Sequence, residues 1–292
     1  MEQRLSGINE TTSTAQQLTM GALGVMQNIT DQSSTLELIA PDVAFMRILM
    51  VNICFIGKSG ADWVLVDCGL PDSAEAIIYS AQQRFGTNCR PSAIILTHGH
   101  FDHVGAIVEL IEKWSVPVYA HKFEIPFLTG EKDYFTPDPT VNDGLMSKIS
   151  PLYPNQSINL GSYVKPLPDD YRIPGAPQWR WIATPGHTPG HISLFRDSDR
   201  TLIAGDAFTT TEQESALAVI NQTKEIHGPP KYFTTEWQQA WQSVKVLNSL
   251  KPETAITGHG LPMVGSELRL RLNELAQNFD KIAIPEKGRY VP

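Results

Sequence analysis

The chain has 292 residues, of which 41% are apolar, and this length fits one large domain or two small ones. Its formal net charge of −8 disfavours a nucleic-acid binder, which needs a basic face. It contains no apolar run of about 18 residues that predicts a membrane-spanning helix, and its amino terminus lacks the basic and then apolar order of a signal peptide. With three cysteines that lack paired spacing, we expect a cytoplasmic protein without a membrane or nucleic-acid partner.

The polarity of the chain divides it into two parts. Residues 1–33 are polar and weakly patterned, and they are predicted to form an N-terminal arm. Residues 34–292 are predicted to form one folded domain. Its first elements are an antiparallel meander of strands at 36–40, within 44–56 and at 63–67, and then a helix that Ser73 caps and that runs to Phe85.

The most informative stretch follows a short apolar strand, Ala93 to Leu96. Four metal-type side chains fall within six residues, namely His98, His100, Asp102 and His103. Residues i and i+2 of an extended chain point to the same side, so His98 and His100 can reach one ion. Asp102 and His103 follow as the chain turns and can face a second ion. Imidazole suits zinc, iron, copper and nickel, and a carboxylate hardens the site.

This His-x-His-x-Asp-His pattern resembles the signature of the metallo-β-lactamase superfamily of hydrolases. The resemblance extends over about residues 35–280, because three later motifs also match in order. They are the octapeptide Thr184–His191, Asp206 after an apolar strand, and the glycine-flanked His259. The resemblance implies an α+β fold, a four-layer αββα sandwich with the metal site at one edge.

The segment between the first and third motifs is the least regular. A helix over 103–113 and a strand over 116–120 come first, and His121 is assigned a packing role. Residues 122–175 then carry many prolines and aromatic residues and are predicted to be a substrate-facing insertion.

The remaining elements alternate between strands and helices. Two prolines and two glycines forbid a helix across the octapeptide, so it is predicted to be a rigid loop. The predicted strands lie at 179–183, 192–195, 201–204 and 254–257, the predicted helices at 215–221, 235–250 and 266–279, and an extended tail at 284–292.

The resemblance assigns seven metal ligands. One ion is held by His98, His100 and His187, the other by Asp102, His103 and His259, and Asp206 bridges the two ions. Two Zn²⁺ ions are expected, although the same ligands accept iron or manganese.

The resemblance also implies roles outside the ligand set. Asp102 is expected to be catalytic, because it can orient the attacking water and move its proton. Asp67 and His191 are expected to support the ligands without touching the metal. Independently of the resemblance, residues 208–236 are predicted to contribute to substrate specificity together with the insertion, and Phe208, His227 and Tyr232 are the predicted substrate contacts there.

The implied reaction is hydrolysis of a small ester-like molecule, which includes a thioester, a lactone and a carboxylic or phosphoric ester. The ligand pattern is similar to the glyoxalase II and lactonase-like branch. The short region after His259 makes a glutathione thioester doubtful. Thr209 stands where lactonases place a tyrosine, so a lactonase would need the hydroxyl of Tyr232 or Tyr290.

Two other functions stay open. The same fold supports a mononuclear iron dioxygenase that acts on a persulfide with two histidines and one aspartate. A non-catalytic scaffold predicts eroded ligands, and every ligand position is filled here. Homodimerisation is predicted from the apolar-aromatic insertion and the N-terminal arm.

Overall fold

The computed structural model describes residues 36–291 and contains two mixed β-sheets. The strands are β1 (Leu36–Ala40), β2 (Val43–Ile48), β3 (Val51–Gly57), β4 (Trp63–Val66), β5 (Ala93–Ile95), β6 (Val118–Ala120), β7 (Val164–Pro166), β8 (Arg172–Ile173), β9 (Ala176–Ala183), β10 (Ile192–Arg196), β11 (Thr201–Gly205), β12 (Thr254–Thr257) and β13 (Met263–Val264). The helices are α1 (Ala74–Phe85), α2 (Ile107–Trp114), α3 (Ile125–Leu128), α4 (Leu145–Ile149), α5 (Ala216–Asn221), α6 (Trp237–Ser249), α7 (Gly265–Gln277) and α8 (Phe279–Ile282).

The seven-stranded sheet takes β1 to β7 in chain order. The pairs from β1 to β4 are antiparallel, as the predicted meander requires. The pairs from β4 to β7 are parallel. The six-stranded sheet has the order β13-β12-β11-β10-β9-β8, and its single parallel pair is β11 with β12. Both sheets are therefore mixed.

Alternate side chains of each sheet face the other sheet and form the central core. Phe45 and Ile95 of the seven-stranded sheet share one apolar cluster with Trp179, Leu194 and Ile203 of the six-stranded sheet. The opposite faces are covered by helices, with α1 and α2 on the first sheet and α6 and α7 on the second. The predicted αββα sandwich is confirmed.

Two local predictions near the first motif are wrong. The helix predicted from His103 begins at Ile107, because the chain turns through residues 101–106. Gly105 lies so close to the preceding loop that a Cβ atom there would stand 2.3 Å from the carbonyl carbon of Leu70. The Ser73 hydroxyl does not cap α1 but donates to the Leu70 carbonyl at 2.5 Å.

The proline-rich segment 122–175 contributes more to the sheets than its sequence predicts. It contains α3, α4 and two short 3₁₀ turns, and it also supplies β7 to one sheet and β8 to the other. The chain after residue 284 forms turns that pack against this segment, where the Tyr290 hydroxyl donates to the Thr136 carbonyl at 2.9 Å. The predicted N-terminal arm lies outside the described residues. Across residues 36–291, no helix has the length and apolarity needed to cross a membrane.

Candidate metal centre

The ends of four strands meet at one edge of the sandwich. The first motif follows β5, whereas His187, Asp206 and His259 follow β9, β11 and β12. A backbone hydrogen bond from the Ile192 N–H to the Thr97 carbonyl, 2.9 Å long, joins the two sheets beside the site. All seven predicted ligands are at most 7% exposed. Side chains that are far apart in the sequence thus converge in one buried place.

One group of potential ligands consists of three histidines. The facing atoms of His98, His100 and His187 all lie within 4.8 Å of one another. His100 Nδ1 stands 3.0 Å from His187 Nε2. The rings of His98 and His100 are almost perpendicular, with centroids 4.7 Å apart. This is the group that the sequence assigns to the first ion.

A second group consists of Asp102, His103 and His259, whose facing atoms also lie within 4.8 Å of one another, and His98, His103 and Asp206 meet the same criterion between the two groups. Asp206 stands between the groups. Its Oδ1 is 3.6 Å from His103 Nε2, and its Oδ2 is 3.2 Å from His259 Nε2 and 3.5 Å from His187 Nε2. One carboxylate therefore reaches histidines of both groups, which is the position of a bridging ligand.

Hydrogen bonds on the outer sides of the imidazoles fix their orientation. His103 Nδ1 donates to Asp67 Oδ2 at 2.9 Å, and His259 Nδ1 donates to the Met50 carbonyl at 2.8 Å. Nδ1 of His187 lies 3.0 Å from the Thr234 hydroxyl, which itself donates to a carbonyl. With Nδ1 engaged in this way, each Nε2 faces the centre and can offer its lone pair to a metal once any proton on it has left.

Asp67 takes the supporting position predicted for it. Its Oδ1 accepts the Thr97 N–H and its Oδ2 accepts the Thr97 hydroxyl, both at 2.8 Å, in addition to His103. Its backbone has a φ of +62°, a left-handed conformation that costs free energy for a residue other than glycine. The contacts of the carboxylate offset that cost.

His191 also supports the centre without facing it as a ligand. Its Nε2 accepts the Asp206 N–H at 2.9 Å and its Nδ1 donates to the Thr184 hydroxyl at 2.8 Å. Both ring nitrogens are thus occupied, and the histidine positions Asp206 through its backbone. Gly205, with a φ of +55°, leaves room for this ring, because a Cβ atom there would lie 2.6 Å from His191 Nε2.

The donor set fits a pair of cations. His98 Nε2, His103 Nε2 and Asp206 Oδ1 are buried and have no hydrogen-bond partner among the described residues. Buried polar atoms normally have partners, so these lone pairs are suited to cations. Gly258 keeps the space open, because a Cβ atom there would stand 2.0 Å from Asp206 Oδ1.

The two groups differ in their electrostatics. Burial lowers the pKa of His98 and His100 well below the usual value, and it lowers the pKa of His187 to about 3. Burial also acts to lower the pKa of His103 and His259, but the carboxylates around them, Asp206 foremost, outweigh it and raise both pKa values. The three-histidine group is therefore neutral near pH 7, whereas the other group carries protons when no metal is present.

We expect metal binding to the second group to be more strongly pH-dependent than binding to the first. The raised pKa values mean that His103 and His259 stay protonated to a higher pH than usual. Their protons must leave when a cation binds, so the metal affinity of this group falls as the pH falls. Each displaced proton changes the apparent affinity by about tenfold per pH unit. Calorimetric titration in buffers of different ionisation enthalpy measures the protons released at each step. Equal proton release at both binding steps would contradict the assignment of the bound protons to His103 and His259.

Burial raises the pKa of Asp102, and the nearby histidines offset this only in part. Its Oδ2 lies 3.5 Å from His259 Nε2. A carboxyl group with a raised pKa beside the reacting water is suited to accept and return a proton. The position of Asp102 is thus compatible with its predicted catalytic role.

The three predicted substrate contacts lie in different places. Phe208 is fully buried in the core behind the six-stranded sheet, with Trp237 and Phe279, so it does not face the centre as predicted. His227 pairs with Thr209 in an isolated bridge, and its ring lines a cavity to which none of the seven ligands contributes. Tyr232 is buried in an aromatic cluster beside the centre.

Other aromatic rings near the centre were not among the three predicted substrate contacts, although they lie in the two segments predicted to face substrate. Phe233 stacks on the His100 ring with centroids 4.4 Å apart, and Tyr134 packs on the same His100 ring with centroids 4.6 Å apart. Tyr153 stacks on Phe101 at 5.6 Å. The sequence therefore indicates the segments that form this wall but not which of their rings pack on the ligands.

Comparison with known proteins gives consistent matches. Residues 46–259 match the sequence profile of the Metallo-beta-lactamase superfamily. The chain is 49% identical to "Probable metallo-hydrolase YflN" of Bacillus subtilis over 83% of this chain and 93% of that protein. It is 29% identical to "Probable metallo-hydrolase YybB" of the same organism, over 78% and 86% of the two chains. The fold is similar to that of ST1585 from Sulfolobus tokodaii, with a TM-score of 0.56 and 16% identity over 83% and 87% of the chains.

Proposed function

The chain belongs to the metallo-beta-lactamase superfamily, and from this premise we propose that it is a hydrolase with a two-cation centre that cleaves a small ester-like molecule. The curated relatives at 49% and 29% identity carry the name of probable metallo-hydrolases, which supports the reaction type. Zinc is the proposed metal.

One observation carries the proposal, namely the position of Asp206 between two complete ligand groups. Its two carboxylate oxygens face histidines on opposite sides, and three unpartnered buried lone pairs converge there. A single ion does not need the second group. The mononuclear iron dioxygenase is therefore the weaker candidate.

Asp102 has the central part in the proposed reaction. When bound, the cations supply a water of lowered pKa and polarise the carbonyl or phosphoryl oxygen of the substrate. Asp102 orients the water through one carboxylate oxygen, accepts its proton as the new carbon–oxygen or phosphorus–oxygen bond forms, and delivers that proton to the leaving oxygen or sulfur. His259, held by the Met50 carbonyl, lies beside Asp102, with its Nε2 3.5 Å from Asp102 Oδ2.

The wall of the site supports an apolar part in the substrate. Met50, Met146, Tyr153, Tyr232 and Phe233 form one buried apolar cluster, and Phe101 packs against it. Aromatic and methionine side chains favour an acyl or aryl group through burial of apolar surface. This wall and the Asp102-His103 pair support placement in the glyoxalase II and lactonase-like branch.

A lactone is one candidate substrate within this class, and it would need a hydroxyl group near the centre. The Thr209 hydroxyl donates to the Thr211 carbonyl and the Tyr290 hydroxyl to the Thr136 carbonyl, so both are engaged elsewhere. Tyr232 is buried in the cluster beside the centre, next to Phe233, which stacks on the His100 ring, and burial raises the pKa of its hydroxyl. A lactonase mechanism would thus depend on Tyr232.

The test begins with metal content of protein purified without chelators. Two zinc ions per chain, together with turnover of a thioester, lactone or phosphodiester panel that chelation abolishes, are expected. One iron per chain with oxygen uptake on a persulfide would replace the proposal with the dioxygenase. TTHA1623, a protein of similar fold, has been solved in a di-iron-bound form, so the assay measures iron and manganese as well as zinc.

A further inference from the structure

A second buried carboxylate, Glu124, lies outside the ligand set. Its side chain is fully buried, and it follows β6 at the start of the proline-rich segment. Oε1 accepts the Thr188 hydroxyl and the Gly190 N–H, each at 2.8 Å. Oε2 accepts the Gly99 N–H at 3.1 Å and the Tyr134 hydroxyl. Four donors thus satisfy the carboxylate without any cationic partner.

Three of the four donors, Gly99, Thr188 and Gly190, belong to the two loops that carry the three-histidine group. Gly99 stands between His98 and His100, and Thr188 directly follows His187. One carboxylate therefore ties a loop of the seven-stranded sheet to a loop of the six-stranded sheet. The bonds of Glu124 set the distance between the backbones that present these three imidazoles.

Close packing around this carboxylate restricts its neighbours. A Cβ atom on Gly190 would lie 2.7 Å from the Glu124 nitrogen, and one on Gly99 would lie 2.5 Å from the Tyr134 hydroxyl oxygen. Tyr134 extends the contact, since its ring packs on His100 and stacks on Phe127 at 4.1 Å. Glycine at both positions lets the loops reach the carboxylate.

The other ligand group has different supports. His103 is held by Asp67 and His259 by the Met50 carbonyl. The four hydrogen bonds of Glu124 reach neither of these supports. The effect of Glu124 should therefore be confined to one half of the centre.

We propose that Glu124 is a positioning residue for the three-histidine half of the metal centre, which it aligns by joining the loops that carry His98, His100 and His187. The inference rests on the proposed two-cation centre. Groups that orient metal ligands from behind commonly change metal affinity by about 10–100-fold when they are replaced.

The replacement Glu124→Gln keeps the shape of the side chain and tests the hydrogen bonds. Glutamine offers one oxygen and one NH₂ group, but each carboxylate oxygen receives a backbone N–H, which cannot reverse its direction. One loop must therefore lose its bond. We expect the affinity of the three-histidine half for Zn²⁺ or Co²⁺ to fall by about 10–100-fold, with a changed visible absorption of bound Co²⁺.

The titration is done in a His103→Ala background, where only the three-histidine half remains to be measured. Glu214→Gln is the matched control, because Glu214 is a buried glutamate that accepts the Lys231 N–H, outside the ligand loops. Thr188→Ser should retain the affinity and Thr188→Val should lower it, so the idea stays testable if Glu124→Gln does not fold.

The outcomes separate the two proposals. If the unaltered chain binds no cation, the proposed function fails. If the unaltered chain binds two cations and neither Glu124→Gln nor Thr188→Val weakens the three-histidine half, the role of Glu124 is wrong while the centre stands. Equal weakening in Glu214→Gln would also contradict a specific role.

Discussion

Replacement of Asp206 with asparagine is expected to remove both cations and to lower turnover by more than about a hundredfold. Replacement of a group that only orients a metal ligand already lowers activity by up to about 100-fold, and Asp206 is a proposed ligand itself. The carboxylate faces His103, His187 and His259 at 3.2 to 3.6 Å. Asparagine keeps the size but loses the charge, and its NH₂ group would point at lone pairs that must face metal. Metal analysis per folded chain and turnover on the same preparation measure the effect.

Asp138→Asn serves as the control for this variant. Asp138 is also buried and accepts the N–H and hydroxyl of Thr140, away from the ligands. If Asp206→Asn retained two cations with the affinity of the control, Asp206 would not be the bridging ligand.

Replacement of His103 with alanine is expected to lower the metal content from two cations to one and to remove most turnover, while the chain still folds. His103 Nε2 is one of the unpartnered lone pairs of the second group, and the three-histidine group does not include it. After the replacement, Asp67 keeps both hydrogen bonds from Thr97, which preserves the loop.

His121→Ala is a suitable comparison for this variant. His121 is a half-buried histidine whose ring packs against Trp181 with centroids 5.5 Å apart, outside the centre. Metal content by mass spectrometry and circular dichroism should be unchanged in that comparison. Unchanged turnover in His103→Ala would exclude a mechanism that needs two metals.

The parts of the fold that could be predicted from sequence are those with strong local patterns. Short apolar strands that end in His, Asp or Gly located β5, β11 and β12, and the family resemblance that the motifs carry implied the sandwich. The edge strands β7 and β8 carry too few residues and too much proline nearby for a local pattern. They exist because they pair with β6 and β9, and such long-range pairing leaves no local signal.

The candidate site follows the same division. Side chains that bind metal can be recognised from their type and spacing, so the seven ligand positions between His98 and His259 could be predicted. Glu124 and Thr234 act through partners that are remote in sequence, and nothing in their neighbourhood indicates these contacts. Phe208 was wrongly predicted to face substrate, because its position after Asp206 does not reveal that the chain turns its ring into the helical layer.

The contact between His259 and the β2–β3 turn has a consequence for how the protein is made. His259 Nδ1 reaches the carbonyl of a residue 209 positions earlier, and the Asn52 side chain donates to the carbonyls of Thr257 and Gly260 at 2.9 and 2.6 Å. A nascent chain emerges from the ribosome with its amino-terminal part first. It can therefore present the first-motif histidines long before β12 has been synthesised. The assembly of all seven proposed ligands is then expected to be one of the last events of biosynthesis, after β12 has been synthesised.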